Sequence, residues 1–328
     1  MGDPYTFKGP WTDRVVATAI HNGHDLRPAV AELMVLDEDD RLREEDPHTG
    51  RLAAVVDSHL VVHRSRFEVD LNRPRTDAVY RTPADCWDLE VWQDTALPDE
   101  LVDGSRELYD AFHDALAERL DALAASGPFV LYDVHTYNHR RDGADAPASD
   151  PADNPEVNVG TGSLDRERFG GVVDAFIDTL AAHDVPWGHL DVRENVRFQG
   201  GHLSKWIHAR YPGVGCCLAL EFRKSFMDEW TAEVDEARPG ALRRRLRPGR
   251  HRGPRAQDAR PRPLRGRARQ RRARDPLTRL TGTAIGGRGR PGCRFRRPHP
   301  GVADLVRLRS CPCHRGTCTA RPTDTTTR

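Results

Sequence analysis

Short apolar runs alternate with longer amphipathic segments along the first 236 residues. The apolar runs predict strands at residues 15–20, 52–62, 129–134, 187–192 and 214–222. Apolar positions at helical spacing predict helices at residues 26–36, 101–125 and 164–180. This alternation predicts an α/β fold in which a mixed, twisted sheet is sandwiched between helices.

Side chains capable of chemistry follow three of the predicted strands. His21 ends the first strand, His135 follows the run FVLYDV, and Glu221 lies near the end of the run CCLALEF. Ligands of such α/β sheets collect at the carboxyl ends of the strands. We therefore take these three residues as candidates for a functional site.

The histidines have the chemistry of metal ligands. Neutral imidazole is a common zinc ligand, and the H-x-x-H pair His21 and His24 can reach one ion. The alternative is a surface turn, which the Asn-Gly pair between them also favours. Asp133 lies two residues before His135, on the same side of the strand, where a carboxylate can orient a ligating imidazole. The alternative there is a histidine that caps a strand.

Glu221 stands at the end of a strongly apolar run, where a carboxylate is costly to bury unless it is paired or functional. Burial raises the pKa of a carboxyl group, which suits a general base that activates water. The alternative is a salt bridge with Arg223 or Lys224.

The string SRFEVDLNRP at residues 65–74 suggests a site for an anion. Asn72 beside Arg73 can grip a carboxylate, because arginine offers a planar fork of donors and asparagine adds one more. Arg64 and Arg66 crowd the same stretch and extend it into an anion-binding wall. The alternative is a charged edge strand with internal ion pairs.

The charges are segregated, although the whole chain carries 50 basic and 50 acidic residues. Residues 237–328 hold 27 Arg and four Asp but no Lys or Glu, so residues 1–236 carry a formal charge near −23. This acidic part argues against direct binding of nucleic acid. The basic part lacks sustained apolar periodicity. We predict a folded domain over 1–236 and a disordered tail over 237–328.

Three explanations of the tail remain open. We favour a reading-frame shift near residue 237, since Arg, Pro, Gly and Ala all have GC-rich codons and a basic arm normally mixes Arg with Lys. The domain would then lack its C-terminal elements. The others are an authentic arm that binds nucleic acid and a folded basic domain. A frame shift would also produce by chance the zinc-like cluster Cys311, Cys313, His314 and Cys318.

Composition argues against several other classes of protein. No run of 18 apolar residues is present, so we expect no membrane span. The N-terminus does not have the basic and then apolar segments of a secretory signal. Cys86, Cys216 and Cys217 do not suggest a disulfide framework, and a reducing cytoplasm fits them.

Taken together, these motifs resemble the N-formylglutamate amidohydrolase family, which is distantly related to the zinc carboxypeptidases and aspartoacylase. The resemblance rests on SRFEVDLNR, LYDVHTYN, the FQGG turn at 198–201 and LALEFRKSFMDE, and it spans roughly residues 15–235. It implies a sheet of about eight strands. It also implies zinc-dependent hydrolysis of an N-acyl amino acid, N-formyl-L-glutamate above all.

The resemblance further implies where zinc would bind. The implied ligands are His21 and His135, and the position three after the first histidine, Glu in the carboxypeptidases, is His24 here. Histidine can substitute chemically for glutamate as a ligand.

The resemblance implies the remaining roles as well. Glu221 matches the catalytic carboxylate, Asn72 and Arg73 match the residues that hold the substrate carboxylate, and Arg66 lies near the position of a carbonyl-polarising arginine. Other functions stay open: a hydrolase of another N-acyl amino acid or peptide, an Arg-rich-tailed protein that binds nucleic acid, or an inactive remnant.

Overall fold

The computed structural model describes residues 2–93, 97–182, 184–185 and 188–234. Trp187 and the tail at 237–328, with its cysteine cluster, lie outside the described residues, so the predictions for them stay predictions. Within the described ranges, no helix is long and apolar enough to cross a bilayer.

Strands and helices alternate along the described chain. The strands are β1 (Tyr5–Lys8), β2 (Val15–Ala19), β3 (His59–Val62), β4 (Phe129–Tyr137), β5 (Val157–Gly160), β6 (Asp184–Val185), β7 (Gly188–His189), β8 (Val192–Glu194) and β9 (Gly215–Arg223). The helices are α1 (Pro28–Ala31), α2 (Glu38–Glu44), α3 (Thr49–Ala53), α4 (Asp99–Ala125), α5 (Arg166–Ala181) and α6 (His202–Arg210).

Seven strands form one mixed sheet in the order β1-β3-β2-β4-β9-β5-β8. Strands β3, β2, β4 and β9 are mutually parallel, whereas β1 is antiparallel to β3 and β5 is antiparallel to β9. β8 runs parallel to β5. The α/β fold with a mixed sheet is therefore confirmed.

Helices cover both faces of this sheet, so the central strands are buried on both sides. On one face, Val130 and Leu218 pack in a core with residues of α3 and α5. On the other face, Leu131 and Cys217 pack with residues of α4 and α6. Alternate residues of β4 and β9 thus face opposite layers, as the period of two in a strand requires.

The two long helices follow their apolar spacing. The buried residues of α4 recur every three or four positions, at Val102, Ser105, Tyr109, Phe112, His113, Leu116, Leu120 and Leu123. Asp165 caps α5 by accepting a hydrogen bond from the backbone nitrogen of Arg168. The predictions for these helices are confirmed to within two residues.

Three local predictions were wrong. Residues 26–36 are helical only at 28–31, since the backbone nitrogen of Val35 donates to Val91 instead of continuing the helix. The run at 52–62 divides into α3 and β3, with the polar pair Asp57 and Ser58 between them. The run predicted at 187–192 holds only short pieces of strand.

The parallel strands bring several segments to one edge of the sheet. β2 ends two residues before His21, and His135 lies opposite Glu221 in the register of β4 with β9. The segment from residue 63 onward leaves β3 at the same edge. The carboxyl edge therefore gathers the residues for which the sequence predicted chemistry.

Candidate metal and catalytic site

A histidine, an aspartate and a second histidine converge at the carboxyl edge of the sheet. They are His21, Asp46 and His135, all buried, with one potential ligand atom from each lying within 4.8 Å of the others. Oδ2 of Asp46 lies 3.4 Å from Nδ1 of His21 and 3.2 Å from Nδ1 of His135. In the part of the chain that the structure describes, no other group of three His, Cys, Asp or Glu residues meets this spacing.

A second carboxylate lies behind each histidine. Nε2 of His21 is 2.7 Å from Oδ1 of Asp70, and Nε2 of His135 is 3.0 Å from Oδ2 of Asp133, as predicted for Asp133. Carboxylates in these positions fix the tautomer and orientation of a ligating imidazole. Both histidines therefore turn Nδ1 toward Asp46.

The three residues fit a bound metal ion. Nδ1 of His21 is buried and has no hydrogen-bond partner, which is unusual for a buried polar atom. Burial alone would raise the pKa of Asp46, but the imidazoles of His135 and His21, whose Nδ1 atoms lie 3.2 and 3.4 Å from Oδ2, hold that pKa well below its usual range. Two imidazoles and a charged carboxylate form a donor set that suits zinc. The group could therefore bind a metal.

His24 does not join this group. Its Nδ1 lies 2.5 Å from Oε2 of Glu45, and its Nε2 lies 2.7 Å from Nη2 of Arg41 and 3.2 Å from Oε1 of Glu38. The hydrogen bond to Glu45 raises the pKa of His24. As a correction to the ligand set that the resemblance implied, the structure places Asp46 beside the two buried histidines.

Asp46 is not predicted as a ligand from the sequence, because it ends a run of charged residues that is typical of a solvated surface. Its burial depends on distant contacts: Thr136 donates to Oδ1 at 2.9 Å, and the Asp46 backbone nitrogen donates to the carbonyl of His21. No local pattern in the run DEDDRLREED distinguishes its last residue from the others.

Glu221 lines the same cavity as the group His21, Asp46 and His135, from the neighbouring strand β9. Its carboxylate makes no hydrogen bond or ion pair within the described ranges, and it lines the cavity beside His135. Burial raises the pKa of Glu221 to about 7. The alternative of a salt bridge fails, since Arg223 donates to the carbonyl of Asn154 and Lys224 donates to the carbonyls of Arg43 and Glu45.

A cavity of about 140 Å³ opens onto these groups. It carries charges of both signs, which come from Glu44, Asp46, Arg66, Arg141, Glu221 and Lys224. Further lining residues are His21, Asn72, Trp87, His135, Thr136, Tyr137, Asn138 and Phe198. The cavity therefore offers cations and amides beside a potential metal site.

Lys224 also lines the cavity, although the sequence suggests it only as a salt-bridge partner of Glu221. It is almost fully buried, and burial lowers its pKa to about 8. Its two carbonyl acceptors flank the segment that leads into Asp46. Lys224 thereby ties the end of β9 to the segment that carries the aspartate.

Two of the four residues predicted for an anion site line the cavity. Nη2 of Arg66 donates to Oδ2 of Asp70 at 2.9 Å, and the guanidinium lies 4.9 Å from the ring centre of Trp87. Oδ1 of Asn72 accepts from the backbone nitrogen of Leu203 at the start of α6, which leaves its amide nitrogen as a donor. These two side chains are fixed at one wall.

The FQGG turn is pressed against Asn72. A Cβ atom at Gly201 would lie 2.3 Å from the amide oxygen and nitrogen of Asn72, so only glycine fits there. Two motifs that are far apart in the sequence thus meet at one contact.

Arg73 and Arg64 do not line the cavity. Arg73 is partly exposed, with its guanidinium 4.8 Å from the ring centre of Tyr80 and its Nε 3.6 Å from Oδ2 of Asp70. Arg64 is buried, with Nε 3.7 Å from Oε1 of Glu68. For Arg64, the alternative of an internal ion pair describes the structure, and its assignment to substrate is corrected.

A mixed sheet with a buried His-Asp-His group and a glutamate at its carboxyl edge is typical of hydrolytic α/β enzymes. The chain belongs to the N-formylglutamate amidohydrolase family, whose profile matches residues 13–227.

Individual proteins agree with this family assignment. The chain is 26% identical over 262 residues to N-formylglutamate deformylase of Pseudomonas aeruginosa, an alignment that covers 69% of this chain and 88% of the relative. The crystal structure of N-formylglutamate amidohydrolase from Ralstonia eutropha matches with a TM-score of 0.59 and 20% identity, over 74% of this chain and 94% of the other.

A protein of Agrobacterium tumefaciens also has a similar structure. It matches with a TM-score of 0.52 and 17% identity, over 74% of this chain and 93% of the other. At these identities the two structural matches show that the fold is shared.

Proposed function

We propose that this protein hydrolyses the amide bond of N-formyl-L-glutamate to formate and glutamate, and that it uses zinc. Membership of the family and the name of the Pseudomonas aeruginosa relative support the reaction. The observation that carries the proposal is Glu221, unpaired in a cavity beside the buried group His21, Asp46 and His135.

Zinc is the metal that the donor set favours. In the proposed site the residues that would hold it are His21, His135 and Asp46. Bound there, it supplies Lewis-acid polarisation to water and to the formyl carbonyl. Asp70 and Asp133 keep the two imidazoles turned toward the ion.

Glu221 is the proposed general base and acid. It takes a proton from the attacking water and delivers it to the nitrogen of the departing glutamate. Burial raises its pKa to about 7, so the carboxylate is a stronger base than an exposed one and can still release the proton near neutrality. Because no protein group occupies its oxygens within the described ranges, they are free to meet the water.

Arg66, Asn72 and Arg73 are proposed to hold the substrate. Arg66 is fixed by Asp70 and Trp87, so its charge is positioned to stabilise the oxyanion that forms from the carbonyl. The free amide nitrogen of Asn72 donates to the α-carboxylate, and Arg73 adds positive charge from beside the cavity.

The experiment measures release of formate from N-formyl-L-glutamate, and of acetate from N-acetyl-L-glutamate, by the full chain with its metal content determined. Release of formate that is lost on chelation and restored by zinc supports the proposal. A higher kcat/KM for the acetyl substrate favours the alternative of another N-acyl amino acid. Metal-loaded protein that hydrolyses neither substrate contradicts the proposal.

We also propose that the protein works in the cytoplasm. The thiols of Cys86, Cys216 and Cys217 are free and buried, which fits a reducing compartment.

A further inference from the structure

We propose that Arg141, assisted by Asn138, binds the side-chain carboxylate of the substrate and makes the cavity selective for dicarboxylic N-formyl amino acids. The inference rests on the proposed function. N-formylglutamate carries two carboxylates, and Asn72 with Arg73 accounts for only one of them. A second cationic group in the cavity is therefore needed to distinguish glutamate from neutral amino acids of the same size.

Arg141 lines the cavity, and its guanidinium is ion-paired with Glu44 without a hydrogen bond. Its nearest acidic atom is Oε1 of Glu44, at 3.6 Å, which is too far for a hydrogen bond, and 39% of its side-chain surface is exposed. In the described part of the chain the guanidinium donates no hydrogen bond. Arginine offers five N–H donors in a planar fork that fits a carboxylate.

The neighbouring Arg140 shows the contrast within one loop. Its Nη1 donates to the carbonyl oxygens of Ala144 and Ala146, at 3.2 and 3.0 Å, and it does not line the cavity. The two arginines are adjacent in sequence, but Arg140 holds the loop together whereas Arg141 faces the ligand space.

The charge of Glu44 is already shared with other donors. Its Oε1 accepts from Nη1 of Arg43 at 2.9 Å and from Nδ2 of Asn138 at 3.0 Å. Lys224 brings a further buried positive charge to the same cavity. Arg141 and Lys224 therefore place positive charge on the cavity wall, where it can attract an anion.

Asn138 supports the same subsite from the end of β4. It is buried, lines the cavity, and donates one Nδ2 hydrogen to Glu44, which leaves the second Nδ2 hydrogen as the donor for a carboxylate. Both Asn138 and Arg141 follow His135 on one continuous segment, whereas Asn72 comes from the segment after β3. The two carboxylates are thus recognised by two different segments that meet at the metal-binding group.

The test compares N-formyl-L-glutamate with N-formyl-L-glutamine, which has the same shape but an uncharged side chain. We expect Arg141→Gln to lower kcat/KM for N-formyl-L-glutamate about 10- to 100-fold, mainly through KM, because a charge-assisted pair is lost. The fall for N-formyl-L-glutamine should be about tenfold smaller. Arg141→Lys, which keeps the charge without the fork, should fall between wild type and Arg141→Gln.

Arg210→Gln is the matched control, since it removes a guanidinium of similar exposure whose ion pair with Asp121 lies outside the cavity. It should leave the preference between the two substrates unchanged. An equal loss on both substrates in Arg141→Gln, or no loss on either, would overturn this inference alone. Wild-type protein that hydrolyses neither substrate would overturn the proposed function and this inference with it.

Discussion

Two histidines three residues apart, His21 and His24, have opposite surroundings. His21 is 2% exposed and lies between Asp46 and Asp70, and its Nδ1, 3.4 Å from Oδ2 of Asp46, makes no hydrogen bond within the described residues. The side chain of His24 is 31% exposed, and both of its nitrogens contact charged side chains, Glu45 on one side and Arg41 on the other. His21 therefore converges with Asp46 and His135, whereas the H-x-x-H spacing alone does not bring His24 to that group.

The backbone between them explains the difference. β2 carries the chain to the edge of the sheet, where His21 lies above the parallel strands. Gly23 then packs so closely on the segment after β3 that a Cβ atom would lie 2.1 Å from the carbonyl carbon of His63. Gly23 and Asp25 pair with Ser65 and Arg64 of that segment, and His24 lies beside Glu38 and Arg41 of α2.

Replacing His21 and His24 one at a time tests the difference between them. His21→Ala should lose stoichiometric zinc and reduce formate release to background, because one of three ligands is removed. His24→Ala should keep zinc and most of its activity, since its partners Glu45, Glu38 and Arg41 lie outside the group His21, Asp46 and His135. Metal analysis and an assay of both variants check this. Loss of zinc in His24→Ala would return that residue to the ligand set.

Glu221→Gln separates catalysis from metal binding. We expect turnover to fall about 10³-fold or more while zinc content stays at the wild-type level, since the amide cannot accept the proton. The measurement is kcat with the metal content of the same sample. Turnover near the wild-type rate would remove Glu221 from the mechanism.

Asp70→Asn tests the carboxylate behind His21, and Glu38→Gln tests a carboxylate beside His24. Replacing Asp70 should weaken zinc affinity about 10- to 100-fold, because the imidazole loses its orienting partner. Replacing the exposed Glu38 should not change it. Competition with a zinc chelator measures both, and equal affinities would show that the rear carboxylate has no influence.

His113 is a buried histidine of α4 that makes no ion pair with a carboxylate among the described residues. Burial lowers the pKa of His113 to about 4, below the ordinary value of 6.5, so the unfolded chain binds its proton more readily. Stability should therefore fall as the pH drops below 6.5. His113→Phe should reduce the loss between pH 7 and pH 5 by about 2 kcal/mol. Urea unfolding at the two pH values measures it, and an unchanged loss would contradict the assignment.

The sequence alone was enough to identify the candidate residues that stand at the ends of apolar runs. His21, His135 and Glu221 were predictable because each stands at the end of a buried strand, and the parallel order of β2, β4 and β9 then brings them to one edge. The same apolar runs predicted the mixed sheet and its two long helices.

Asp46 and Arg141 could not be predicted in this way. Both lie in charged stretches that look solvated, and their surroundings come from residues about ninety positions away, such as Thr136 for Asp46 and Glu44 for Arg141. The run of residues 52–62 failed for a related reason, since its composition suits both a helix and a strand and only the tertiary contacts decide between them.

The contact between Asn72 and Gly201 limits how this enzyme can be redesigned. Asn72 holds the first turn of α6 through Leu203, and Gly201 leaves no space for a side chain beside it. A single change at either position therefore disturbs a helix end together with the cavity wall, and a side chain introduced at residue 201 requires a smaller one at residue 72. The loop with Arg141 has no such constraint, so a library that seeks altered substrates should vary that loop first and leave the Asn-Gly pair intact.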